Sequence, residues 1–409
     1  MHRKRKKYLV IILLFFLVFY LLPNLVNFRE RSHFSDSRRL QAAKQAVTQG
    51  YITVIPGGYY SRGKVYKWFF GEKNRDLWNT AVTVPVFSYR EVKGGLKPYD
   101  IGGSQQTVSI RLVDSLGRHW VLRSVNKDQQ NVLPWWLRRS ILRPVFRDQV
   151  SSMNPYGARV VAALSDRLAL PHLNPEIYWV PFEPRFGKYN ERMAGRLVYL
   201  EEYLDSTWQN EPRYGSPHKV LDHEDLEEIK PGEGITFDTL LYLKTRLFDM
   251  LINDWDRHKG QWRFALVTEN ERKILKPVAK DRDMAFYVFD EGVVNNIALR
   301  SNEKFQSYRG KFGRISGLVK QSREMDKRFL KNIPLEIFLR TADEIRSQLS
   351  PQSISAAFRQ YPPVIYQRYG RPHEAILQSR LTQLRYVAAE FHDIISGNQA
   401  EAPTKSSME

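Results

Sequence analysis

The longest apolar run of the chain comes first. Tyr8 to Leu22 reads YLVIILLFFLVFYLL and follows a basic start, MHRKRKK. Extended through Pro23 to about Phe28, it comes close to about 20 residues, enough to cross a bilayer as a helix. It is apolar on every face, which does not fit a surface or core helix. The basic residues before it keep the amino end in the cytoplasm and send the remainder across. A cleaved signal peptide is the competing reading. Asn24 to Phe28 offer no small-x-small cleavage site, so an uncleaved anchor over 1–28 is expected. Residues 29–50 are polar with helical spacing, the texture changes from Tyr51, and 29–54 reads as a juxtamembrane stalk.

Beyond the stalk the period changes. Tyr59 to Thr80 is dense in aromatics, with Trp68, Phe69, Phe70 and Trp78, which suits packing, or else a membrane surface. Val82 to Gly117 alternates as strands do. A Gly-containing turn over 101–107, with Gly102 and Gly103, leads into VSIRLVD, and a turn at Ser115 to Gly117 leads into HWVLRSV. Asn131 to Arg147 reads as a helical insert. Asp148 to Leu170 reads as an amphipathic helix broken near Asn154-Pro155. Pro171 to Phe182 and Gly195 to Leu204 read as strands, and 205–234, rich in Pro, Gly and charge, as a loop or lid. Phe237 to Ile252 is a strong helical pattern through Leu240, Leu241, Leu243, Leu247, Phe248, Met250 and Leu251. It runs directly into Asn253-Asp254-Trp255-Asp256. Trp262 to Val267 and Lys273 to Val278 predict a hairpin around 268–271. From Phe305 onward the chain is helical, with breaks at Pro334, Pro351, Pro362-Pro363 and Gly370 to Pro372. Ile376 to Ile395 is a clear amphipathic helix, and 397–409 is a polar, disordered tail. No internal repeat is present.

Composition narrows the classes. The 409 residues, 42% hydrophobic and 13% aromatic, suffice for one large two-lobed domain or two ordinary ones. A net charge of +19 suits anionic partners such as nucleotide, acidic lipid or acidic glycan. No zinc pattern or aromatic-basic module supports nucleic acid. The absence of cysteine excludes disulfides, thiolate metal sites and a Cys nucleophile.

The candidate chemistry lies in Asn253 to Phe286, which gathers Asp254, Asp256, His258, Gln261, Asp281 and Asp283. A polar turn with solvated acids would account for any one of them. As an ordered set they match what phosphoryl transfer needs: a carboxylate near the attacking hydroxyl, a metal-holding oxygen about one loop later, and an acid at the end of a hairpin. Two acids and an amide oxygen suit Mg or Mn better than zinc. Alternation along a strand puts Asp281 and Asp283 on one face and does not choose between them. His258 reads more readily as a structural hydrogen-bonding residue than as a ligand or base.

Asp256-Arg257-His258 with Gln261, then Asp281-Arg282-Asp283, resembles the catalytic and metal loops of atypical kinases: lipid kinases, HipA-type toxin kinases, spore coat protein H kinases and secretory-pathway casein kinases. The wider chain, over about 55–395, also resembles a group of bacterial envelope proteins carrying a DWDRH…QW…DRD pattern, which brings no known substrate. The resemblance implies an α+β, two-lobed kinase-like domain, with a β-rich small lobe over 55–200 and a helical large lobe over 201–396. It makes Asp256 catalytic and Gln261, Asp281 and Asp283 metal-binding. It gives ATP or another nucleotide with Mg or Mn as cofactor, held by Gly102, Gly103, Arg123 and Lys127, with Asp148 pairing the basic strand residue. Glu201-Glu202 falls where a hinge would be. The sequence departs from the pattern twice. Gln261 stands where Asn is usual, and Arg123 where Lys is usual. The anchor puts the domain on the periplasmic face of the inner membrane, where ATP is scarce in a bacterium. A catalytically inactive binding or scaffold module of the envelope is therefore the alternative to a phosphotransferase with an unknown protein, glycan or lipid acceptor. A metal-dependent phosphoesterase is a third reading.

Overall fold

A computed structural model describes residues 2–18, 33–46, 50–103, 107–128, 133–138, 140, 142–229 and 234–397. The chain divides into two compact units. The first comprises Met1–Arg62, Arg75–Ser152 and Glu176–Tyr203; the second comprises Gly63–Asn74, Met153–Pro175 and Leu204–Glu409. The last segment of the first unit ends at Tyr203, and two segments of the amino-terminal half belong to the second unit.

The first half of the apolar run is in the helix His2–Phe16, and Tyr8 to Val18 are all at least 42% exposed. Among the described residues no helix is long and apolar enough to cross a membrane. Residues 19–32, with the rest of the expected span, lie outside the described residues, as does the tail after Gly397. The expected stalk contains the helix Asp36–Gln45 and strand β1 (Tyr51–Val54), which pairs antiparallel with β2 (Val82–Pro85). That helix docks on the first unit. A Cβ at Gly195 (φ +73°) would sit 3.0 Å from Arg39 Cγ and 3.3 Å from Ala43 Cβ, so glycine permits the approach.

The first unit is built on a five-stranded sheet of β3 (Leu96–Gly102), β4 (Ser109–Asp114), β5 (His119–Ser124), β6 (Glu176–Trp179) and β7 (Leu197–Glu202), in the order β3-β4-β5-β7-β6. The neighbouring pairs are antiparallel. The register explains the alternation in the sequence. Ile110 faces Leu122, which faces Leu200, and Leu112 faces Trp120. These five side chains are nearly fully buried on one face, each worth about 1.5–3 kcal/mol of burial. The opposite face carries Arg111, Arg123 and Glu201.

The second unit has a smaller sheet, β8 (Lys219–Leu221), β9 (Ile235–Phe237), β10 (Trp262–Glu269) and β11 (Arg272–Ala279), in the order β8-β10-β11-β9. β10 and β11 form the expected hairpin, closed by Asn270 and Glu271. Both have positive φ (48° and 67°), which the two-residue type I′ turn requires. The expected helix is Thr239–Leu251, begun by the Asp238 side chain accepting from the Leu241 N–H at 2.9 Å. Leu243, Leu247, Phe248, Met250 and Leu251 are fully buried, whereas Leu240 is 51% exposed and lies off that face. The last long helix, Arg371–Ser396, buries Leu377, Leu384, Val387 and Phe391.

Candidate functional site

The acidic loop starts where the helix Thr239–Leu251 ends, and the ending is specified by the backbone. Asn253 takes a left-handed conformation (φ +63°). Its N–H reaches the Met250 carbonyl at 3.1 Å, and the Asp254 N–H reaches the Asp249 carbonyl at 2.8 Å. This pair of bonds is a Schellman motif with asparagine at the turning position. It fixes the direction in which Asp254, Trp255 and Asp256 leave the helix.

Beneath the loop lies a buried charge network. Arg257 donates from Nε to Asp249 (2.9 Å) and from Nη2 to Asp254 (2.8 Å). Its Nη1 reaches the carbonyls of Gln261 (3.1 Å) and Lys280. One guanidinium thus ties the helix end, the acidic loop and both sides of the hairpin base. Asp249 also meets Arg246 (3.1 Å) and Arg282 (3.5 Å). Arg246 runs on to Asp326 (2.9 Å), which Tyr242 also contacts (2.8 Å). Arg246, Arg257, Asp249, Asp254 and Asp326 are essentially without solvent exposure. Burial alone would raise both acids beside Arg257. Asp249, facing three guanidinium groups, ends below the usual carboxylate range. Asp254, with Arg257 opposed by the Asp249 charge, is pushed up to about 6, chiefly by burial.

The predicted residues divide accordingly. Asp254 is a structural acid. Its Oδ1 also accepts the Asp256 N–H at 3.3 Å. Asp256 is only partly buried, and Gln321 donates to its Oδ1 at 3.2 Å, orienting the carboxylate. Lys304 stands by as well, its ammonium 5.0 Å from the Trp255 ring centre. Burial lowers the Lys304 pKa against the opposing pull of Asp256. His258 Nδ1 accepts the Gly260 N–H at 3.1 Å and so caps the short turn before Gln261, a structural duty. Gln261 is fixed at the hairpin base, its carbonyl accepting from Lys280 N at 3.1 Å. That brings it beside the Asp281 segment. Alternation does not extend to the two acids, because β11 ends at Ala279 and Asp281 has φ +53°. Between them Arg282 turns inward to Ser165 (2.9 Å), leaving Asp281 and Asp283 partly exposed. Among the described residues, no group of three or more His, Asp or Glu side chains forms a metal-holding set. An amide oxygen with one or two carboxylates still fits Mg, which usually keeps waters and takes its remaining oxygens from substrate phosphates.

The first unit holds the other predicted residues. The Gly102–Gly103 turn is tight: a Cβ at Gly103 (φ +84°) would fall 1.9 Å from the Thr107 carbonyl oxygen. Ser104 to Gln106 lie outside the described residues. Arg123 on β5 donates to Glu201 on β7 at 2.6 Å. The Asp148 carboxylate receives both Nη groups of Arg75 (2.7 and 2.6 Å), with Arg62 at 3.5 Å. Asp148 therefore serves to lock Arg75 in place, and the acid on Arg123 is Glu201. Lys127 is 9% exposed and lines a cavity at the Gly-turn end of the sheet. The sequence reading missed Asp249, Arg246, Asp326 and Lys304. Arg246 and Asp249 did leave a signal, being charged residues three apart on the largely apolar buried face of a helix.

No protein-family model and no curated protein matches the chain. Among solved structures it is similar to the Helicobacter pylori proinflammatory kinase CtkA, at 12% identity and a TM-score of 0.35, over 73% of this chain and 95% of that one. It is also similar to the Shewanella oneidensis MR-1 toxin–antitoxin complex of HipA, HipB and operator DNA, at 13% identity and a TM-score of 0.36, over 73% of this chain and 67% of that one. Likenesses of this strength carry no argument, and the functional reading rests on the geometry above.

Proposed function

We propose that the chain is a membrane-anchored, atypical kinase-like protein that transfers a nucleotide γ-phosphoryl group to a hydroxyl with Mg or Mn. The observation that carries this reading is the contrast within the acidic loop. Asp254 is buried on Arg257, while Asp256, two residues on, is accessible and oriented by Gln321 on a rigid base. A reacting carboxylate needs that combination. Asp256 would orient or deprotonate the acceptor, and Lys304 beside it would balance charge developing on the transferred group. Gln261 with Asp281 or Asp283 would hold the metal, which when bound draws charge from phosphate oxygens. In the first unit the Gly102–Gly103 turn would present backbone N–H groups to phosphate. The membrane reading is supported by the apolar helix whose residues 8–18 are exposed on all sides.

One observation favours a second reading, a kinase-like module of the envelope that binds without catalysis. Arg123 is paired at 2.6 Å with Glu201 of a neighbouring strand, and not with the expected Asp148, which Arg75 occupies.

Thermal unfolding of the full chain in neutral detergent, with and without Mn and ATP, separates the two. A ligand that binds only the folded state raises the midpoint by mass action. A metal-dependent rise is expected, lost in Asp281→Ala/Asp283→Ala and kept in Asp256→Ala, which should instead lose phosphoryl transfer. A cooperative transition that no nucleotide moves would overturn the kinase reading in favour of the module.

A further inference from the structure

The first unit contains a cavity of about 920 Å³, a size that suits a small molecule. Its walls come from the helix Asp36–Gln45, the ends of β3 and β5, the helix Leu142–Asp148 and the segment Lys188–Leu197. Among the described residues that line it, Lys127 alone is shared with those assigned above to chemistry, and seven Lys and Arg side chains face three carboxylates.

The cations are crowded. Arg196 lies within the field of Arg39, Arg147 and Arg192, and burial with that repulsion lowers its pKa to about 10. Backbone carbonyls meet part of their donor capacity: Arg39 donates to the carbonyls of Ala194 and Glu191 (2.8 Å to the latter), Arg192 to that of Gly102 (3.3 Å) and Arg196 Nε to that of Arg192 (3.0 Å). Asp36 is shared between Arg39 (2.9 Å) and Arg196 (3.3 Å), and is itself 72% exposed. Arg147 pairs with Asp128 (2.6 Å) and stacks its guanidinium 3.5 Å from the Phe34 ring centre. Arg147 is only 6% exposed, yet among the described residues its Nε has no hydrogen-bond partner, and neither does the buried Nε of Arg192. Guanidinium groups converging on a partly open space of this size, two of them with an Nε unmet among the described residues, are complementary to a ligand carrying more than one negative charge. Their forked donors match phosphate oxygens.

We propose that this cavity binds a multiply charged, phosphate-bearing molecule, held by Arg39, Arg147, Arg192 and Arg196 and rimmed by Lys188. Two sources share this chemistry, a soluble phosphate ester and a phosphorylated lipid headgroup. The second is within reach because the wall residues His33 to Leu40 follow the apolar run closely in the chain.

The test uses the full chain in neutral detergent with EDTA, so that any metal-dependent site is silent, at fixed ionic strength. The unfolding midpoint is followed with inorganic pyrophosphate, and separately in micelles doped with cardiolipin or with phosphatidylcholine. Wild type should rise with pyrophosphate, or with cardiolipin but not phosphatidylcholine, and the responding arm identifies the source. Arg196→Gln should weaken the response roughly tenfold in concentration, as loss of one charge-assisted contact implies. Because that change relieves repulsion, its ligand-free midpoint should not fall below wild type. Lys188→Gln alters an exposed side chain, keeps the fold, and should weaken the response less. A wild-type midpoint unmoved by both probes, or a response equal in all three proteins, would overturn the proposal. Neither variant touches the acidic loop, so nucleotide binding reports separately on the kinase reading.

Discussion

Asp254 and Asp256 show how far two like residues can be driven apart by their surroundings. Both are aspartates of one short loop, and the sequence offers no means of ranking them. In the fold one is sealed against Arg257 and Asp249 and the other is partly open. The pH response of Asp254 follows from its raised pKa. An unfolded aspartate titrates near about 3.9, and this one near about 6. Between those values the folded protein holds the extra proton, so stability rises as pH falls through 6 toward 4. Asp254→Asn cannot take up that proton. Wild type should therefore gain stability relative to the Asn variant when denaturant unfolding is moved from pH 7 to pH 5. A constant difference would show that Asp254 titrates normally. Asp249, held low by three guanidinium groups, contributes the opposite slope, losing stability only at more acid pH.

At the scale of elements, the helix Thr239–Leu251 and the β10–β11 hairpin were legible because each has a strong local period. Phe237 to Ile252 repeats at helical spacing, and two alternating runs flank Asn270-Glu271. What joins them was not legible. Arg257 contacts four partners up to 23 residues away in sequence, and no local pattern encodes such a meeting. Arg257→Lys keeps the charge but gives up the planar fork, leaving Asp249 and the Lys280 carbonyl underserved in a dry site. Its cost should be on the order of 3–5 kcal/mol, as for a broken buried ion pair, read as a lower urea midpoint. A cost under about 1 kcal/mol would show that the network is not a structural tie. The alternation expected to continue through Asp281 and Asp283 stopped at Ala279. Asp281 turns into left-handed space so that Arg282 can point inward to Ser165 and Asp249.

For the molecule as a whole, the net charge of +19 is not spread evenly in its effects. Several of its arginines are buried, some neutralised by acids as in the loop network, others crowded as around the cavity. At the amino end the relevant property is apolar area. An uncleaved anchor predicts that the full chain, expressed in a bacterium, sediments with membranes, resists alkaline carbonate and is released by detergent. A variant lacking residues 1–32 should be recovered without detergent. Recovery of a shortened, carbonate-soluble wild-type chain would show instead that the segment is a cleaved signal.

The sequence by itself determined the apolar amino-terminal run, the strands of the first unit, the central helix, the hairpin and the list of acids between Asn253 and Phe286. These are set by periods of a few residues, because burying one face of a strand or helix demands them. Tertiary structure alone decided which acid is sealed and which is open. It also decided that Asp148 belongs to Arg75 and Arg123 to Glu201, and that arginines distant in the chain meet around one cavity. Charge interactions depend on burial and on partners brought together from distant segments, and neither quantity is written in the spacing of the residues that carry them.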